Sequence, residues 1–188
     1  FEISLFNERF LVNSGVSEYG ISSVRQDERS TKAHNTVVIN NENSSEIWNG
    51  FRVARRAYPF DLKIQELENL LNINCAHDGY KRLGKRIVHR RNWQFFDRSL
   101  IIKDQVEGLF KYAYSYLHFH PSINIIKIQN SLVHIEMSNR RKITLKIIKG
   151  KPLIRTSYYS CEFGKRLKNK CLKIALDRKE GAIIQILW

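Results

Sequence analysis

The residues best equipped for chemistry lie between positions 29 and 56. Arg29, Ser30, Thr31, His34 and Asn35 set a guanidinium, two hydroxyls, an imidazole and an amide just ahead of the alternating run 36–39. A strand that starts there can hold such groups rigidly. A little further on, Trp48 and Phe51 are interleaved with Arg52, Arg55 and Arg56. Aromatic faces hold sugar rings, and guanidinium forks bind carboxylates or sulfates in two-point contacts. The combination points to an acidic carbohydrate.

The elements that must position these groups read as strands. Residues 1–6 alternate apolar and polar, and Phe10-Leu11-Val12 follows, so a hairpin turning at Asn7-Glu8 is expected. Residues 16–33 are polar around Tyr19 and read as a long functional loop delivering the chain to His34. A strand over 36–40, a turn over 40–45 and an extended run over 51–57 come next. Phe60, Leu62 and Ile64 alternate like a strand, whereas Leu67, Leu70 and Leu71 also suit a short helix, and the flanking strands favour β. Beyond Asp78-Gly79, strands are expected near 86–96, 99–107, 110–119, 123–128, 131–137, 142–148, 152–161, 169–176 and 181–187. Turn pairs such as Asp97-Arg98, Asn130-Ser131 and Lys149-Gly150 fall between them. This is the rhythm of an all-β, antiparallel β-sandwich.

Length and composition set outer bounds. The 188 residues suit a single domain over 1–188, and 43% hydrophobic content excludes a disordered chain. Lys and Arg number 32 against 18 Asp and Glu, a net charge of +14, which favours polyanionic partners, acidic glycans and nucleic acids alike, unless much of it is a solvated face. Cys75, Cys161 and Cys171 show no zinc spacing and leave open either a Cys161–Cys171 disulfide or three separate thiols. No apolar run reaches the roughly 18 residues of a membrane span. The chain opens directly on Phe1-Glu2-Ile3-Ser4-Leu5, which reads as the tail of a longer protein.

Other polar groups have plainer readings. His77-Asp78-Gly79-Tyr80 reads as a structural loop rather than a catalytic pair, because sequence neighbours on a strand point to opposite faces. His118 and His120 share a face at period two, a spacing a metal can use, with no third ligand evident. His89-Arg90-Arg91 and Asn139-Arg140-Arg141-Lys142 read as solvated charge.

Several of these stretches carry a resemblance. Arg29-Ser30-Thr31 leading into Ala33-His34-Asn35-Thr36-Val37, then Ser45-Glu46-x-Trp48 and Phe51-Arg52, resembles the C-terminal β-sandwich of heparinase II/III-type polysaccharide lyases. The opening Phe1-Glu2-Ile3-Ser4-Leu5 through Leu11-Val12-Asn13-Ser14-Gly15, and later His77-Asp78-Gly79-Tyr80 and His89-Arg90-Arg91, extend it. It spans the whole chain, is most specific through residue 110, and beyond that rests on strand rhythm and Phe163-Gly164.

The resemblance implies a sandwich of supersandwich type, preceded in the longer protein by a helical α/α-toroid missing from this chain. It implies β-elimination on a uronic-acid-containing polysaccharide such as a glycosaminoglycan or alginate, in the periplasm or outside the cell. The principal Tyr and an Asn or His would come from the toroid. Within this chain, Tyr19 would donate a proton to the leaving oxygen, or be a packed or surface tyrosine. Arg29 would neutralise the uronate, or be a loop cation. Asn35, Trp48, Phe51 and Arg52 would contact substrate, the aromatics otherwise belonging to the core. His34 would help to hold zinc with a second His lying before Phe1 and an Asp near the end of the second strand, or would simply fix the strand start. Asn13 stands at that Asp position, and a neutral amide is a weak zinc ligand. Neither membrane insertion nor nucleic-acid binding is implied, and no RNP-like stretch or zinc-finger spacing occurs. The alternative function is a non-catalytic module that binds acidic glycans.

Overall fold

Strands form wherever an apolar side chain at every second position can be buried on one side. The computed structural model describes residues 1–84 and 86–188. It begins with the hairpin β1 (Ile3–Leu5) and β2 (Glu8–Leu11), then a helix α1 (Ser23–Arg29), a 3-10 turn (Thr31–Ala33) and strand β3 (Val37–Ile39). A small hairpin, β4 (Ile47–Trp48) and β5 (Arg52–Val53), leads into the long strands β6 (Pro59–Leu67), β7 (Leu70–His77), β8 (Val88–Phe96) and β9 (Ser99–Glu107). The rest of the chain is β10 (Ala113–His118), β11 (Asn124–Gln129), β12 (Leu132–Glu136), β13 (Lys142–Lys149), β14 (Lys151–Tyr159), β15 (Leu167–Ala175) and β16 (Ala182–Leu187).

Two antiparallel sheets face one another. The larger has eight strands in the order β11-β12-β13-β16-β9-β8-β7-β6, and the smaller has four, β14-β15-β10-β3. The last strand, β16, therefore lies inside the larger sheet, paired to β13 on one side and β9 on the other. Ile102, Val133, Leu145 and Ile184 from the larger sheet pack with Leu117, Leu172 and Ile174 from the smaller, all fully buried. Each such side chain stabilises the fold by roughly 1.5–3 kcal/mol. Phe10 and Phe119, with ring centroids 5.7 Å apart, join the same core.

Local sequence explains the corners. The first hairpin turns at Phe6-Asn7, one residue earlier than expected, and both residues have positive φ (52° and 62°), as do Asn130 and Ser131 between β11 and β12 (49° and 64°). Two left-handed residues in succession match the right-handed twist of the strands they join. The chain passes from the larger sheet to the smaller at Gly150, where φ is 104° and a Cβ would sit 2.6 Å from Ile174 Cγ2. Only glycine fits there.

Two expectations change. Residues 16–33 are not one loop, since α1 and the 3-10 turn lie inside them; Ser22 caps α1 by accepting from the Arg25 N–H at 3.0 Å. The extended run over 51–57 shrinks to β5, paired only with β4. Residues 59–77 form a β-hairpin, the alternative that the flanking strands favoured. All three cysteines are free thiols, with Cys161 exposed and Cys171 buried, so the disulfide alternative is set aside.

Candidate functional site

Helix α1, the 3-10 turn and the loop after β3 bring Arg29, Thr31, His34, Thr36, Ser44 and Ser45 around one cavity of about 310 Å³. Thr31 locks the two walls together. Its N–H donates to Asn43 Oδ1 at 2.8 Å, and its Oγ1 accepts from the Ser44 N–H, also at 2.8 Å. The stretch singled out by residue type is thus drawn together at one place.

His34 is held by Asn13, with 3.2 Å between Nδ1 and Asn13 Oδ1. The Asn13 amide nitrogen donates to Glu2, which leaves its oxygen as the acceptor and puts the imidazole proton on Nδ1. Nε2 then carries a free lone pair, and burial lowers the His34 pKa, keeping the ring neutral near pH 7. A zinc site is a poor fit on this chain's own residues: the donors are one imidazole, whose Nδ1 is engaged, and one neutral amide. No third His, Cys, Asp or Glu joins them among the described residues.

Arg29 lines the cavity, yet its guanidinium is committed. Nη1 donates to Asn49 O at 2.7 Å and Nη2 to Arg52 O at 2.8 Å, tying α1 to the β4–β5 hairpin. Arg52 is exposed, makes no ion pair among the described residues, and sits 4.8 Å from the half-exposed Trp48 ring. Phe51 is 78% exposed at the hairpin tip, so the aromatics here are surface and not core. Tyr19 does not line the cavity. It stacks on Phe163 with centroids 5.3 Å apart, beside the Arg25 guanidinium. Asn35 is only 1% exposed: its amide donates to Phe1 O and Val12 O and accepts from the His118 N–H. It fixes backbone under the cavity, which corrects its expected place among the substrate contacts.

Behind Asn35 lies a polar network built from His89 and Arg91, expected as solvated charge, and His77, expected in a structural loop. Arg91, 5% exposed, grips Asp104 through Nε (2.6 Å) and Nη2 (2.8 Å) and donates from Nη1 to Asn35 O. Asp104 also accepts from Ser115 Oγ and lies 2.8 Å from His89 Nε2. His89 Nδ1 is 3.0 Å from His77 Nε2, and His77 Nδ1 accepts from the Gly79 N–H. One set of tautomers satisfies every contact. His77 donates from Nε2 to His89, and His89 donates from Nε2 to Asp104. Burial alone would raise the Asp104 pKa, but Arg91 and His89 outweigh it and hold the carboxyl well below the usual carboxylate range. Burial takes His77 down to about 4 and also lowers His89. The missed signal was register. Counting back from Asp97-Arg98 sets Arg91 directly opposite Asp104.

His118 and His120 do not meet over a metal. His118 is buried between Lys32 O and Ser157 Oγ, whereas His120 bonds the neighbouring Ser122.

The chain is thus an antiparallel sandwich of eight strands on four, with a polar cavity at the start of the edge strand β3, and comparison with known proteins narrows its class. The crystal structure of the heparan sulfate lyase HepC from Pedobacter heparinus superposes with a TM-score of 0.78 at 16% identity, over 100% of this chain and 29% of that one. The heparinase III BT4657 gene product superposes at 0.74 and 17% identity, over 99% of this chain and 28% of that one. Residues 1–186 match the heparinase II/III-like C-terminal family model, and the chain belongs to that family. It spans less than a third of either lyase's length. No curated protein sequence matches it.

Proposed function

We propose that this chain is the sandwich part of a polysaccharide lyase that acts on a uronic-acid-containing polymer, supplying one wall of the cleft. The observation that carries this reading is the convergence of Arg29, Thr31, His34, Thr36, Ser44 and Ser45 on one cavity within a heparinase II/III-like domain. In β-elimination the proton beside the carboxylate is removed, its electron pair becomes the new C=C bond, and the bond to the glycosidic oxygen breaks. That oxygen leaves with a proton. Arg52, exposed beside Trp48 and in no ion pair among the described residues, takes the uronate carboxylate, and Trp48 supports a neighbouring sugar ring. His34 offers a neutral acceptor at Nε2 for a substrate hydroxyl or for the proton in transit. Arg29 positions the hairpin that carries Arg52. Tyr19, stacked on Phe163, supplies aromatic surface on the adjoining loop, and the main proton-transfer groups are assigned to a helical toroid.

A glycan-binding module without turnover is the second reading, favoured by the engagement of Arg29 with backbone carbonyls. The full-length encoded protein, assayed on heparan sulfate, hyaluronan and alginate by absorbance of the unsaturated uronate, decides between them. Product that collapses in a folded His34→Ala variant supports the lyase wall. Binding without product on any polymer supports the module.

A further inference from the structure

The outward side of the four-stranded sheet carries a second set of cations and tyrosines. Alternation along β10 turns Ser115 and Leu117 inward and sets Tyr114, Tyr116 and His118 in a row on the other side, which Tyr112 continues. Register places Lys173 of β15 beside Tyr116, and Arg155 of β14 in line with Cys171 and His118. A cavity of about 310 Å³ opens over Tyr116, Arg155, Ser157 and Arg166, and it shares no lining residue with the cavity at His34.

Two cations on this face rest on tyrosine rings, and the two carboxylates that also line the cavity are engaged elsewhere, Asp27 with Lys32 and Glu28 with Ser17. Lys173 Nζ lies 3.6 Å from the Tyr114 ring centroid and 5.8 Å from that of Tyr116, and the Arg166 guanidinium lies 3.9 Å from the Tyr158 centroid. None of Lys173, Arg155 or Arg166 meets a carboxylate within ion-pair distance among the described residues. Gathering like charges with no carboxylate in pairing distance works against the compact state, so an arriving anion relieves it. Resting a long cationic chain on a ring removes in advance much of the rotamer freedom that binding an anion would otherwise take away. Because cations already occupy faces of Tyr114 and Tyr158, those two rings are less open to a stacking nucleobase. The tyrosine hydroxyls remain to meet sugar hydroxyls, while Ser157 Oγ is engaged by His118.

We propose that this face is a second binding surface for an acidic glycan, with Lys173, Arg155 and Arg166 receiving sulfate or carboxylate groups of a saccharide segment outside the His34 cavity. The assignment stands whether or not the protein cleaves its ligand. The experiment is calorimetric titration of the full chain with a heparan sulfate hexasaccharide, using a Lys173→Met/Arg155→Gln double variant, Tyr114→Leu, and His34→Ala. Thermal melts confirm that each variant is folded. An affinity loss of about tenfold or more in the double variant, repeated in the His34→Ala background, is expected, with a smaller loss in Tyr114→Leu. Hydrogen exchange on the unaltered protein should show protection of residues 112–118 and 153–158 by the hexasaccharide. The proposal is overturned if that footprint is absent, if the double variant binds within about twofold of the parent, or if a single-stranded DNA of equal charge binds as tightly.

Discussion

Asp104 has no exposure and accepts hydrogen bonds from Arg91, Ser115 and His89, so its charge is stabilised entirely by protein. Removing one side of such a pair strands the other in a medium that solvates it poorly. Arg91→Met is expected to lower unfolding free energy by about 3–5 kcal/mol in urea titration, whereas truncating the exposed Arg55–Glu46 pair should leave it nearly unchanged. Because Arg91 also holds Asn35 O, the variant should disturb the backbone at His34 as well, visible as shifted amide resonances over residues 34–36. Residue type alone located the cavity groups, since His34, Thr31 and Arg29 stand close together in sequence. It could not separate Arg52, which makes no ion pair among the described residues, from Arg29 and Asn35, which are consumed by backbone, because that difference depends on carbonyls brought in from residues 48–52 and from Phe1 and Val12.

At the scale of elements, the β4–β5 hairpin depends on a neighbour more than on itself, having two residues in each strand and a tether to α1 through Arg29. Arg29→Met is expected to leave the melting temperature nearly unchanged while residues 47–53 exchange amide hydrogen about tenfold faster or more, as the loss of two hydrogen bonds implies. Uniform acceleration across β8 and β9 would show instead that Arg29 supports the whole fold. The strands from residue 86 onward were legible because apolar alternation and two-residue turns coincide. Helix α1 was not, since its one buried residue is Glu28, bonded to Ser17, and an element that buries a carboxylate leaves no apolar period to read.

At the scale of the molecule, acid should be the main weakness. His77 and His118 are buried as neutral rings with pKa near 4, against an ordinary value of 6.5 when unfolded. Between those values the unfolded chain binds the extra protons. Stability is then complete above about pH 6.5 and falls as pH drops toward 4, by up to about 1.4 kcal/mol per unit for each ring. Urea midpoints measured from pH 7.5 to 4.5 should decline over that window, and His77→Gln should flatten the curve. A midpoint that stayed level would mean that these rings are protonated in the native protein.

The place of β16 inside the larger sheet has a further consequence, for biosynthesis. Among the described residues, strands β11–β13 and β6–β9 have no direct pairing to each other, and within the sheet residues 182–187 join them. While the chain is still emerging from the ribosome, two half-sheets with bare edges must wait for a partner some eighty residues downstream of β9. Closure over such separations is slow. A message cut short before Ala182 would therefore yield no shortened sandwich, only two unjoined pieces for the quality-control machinery to clear.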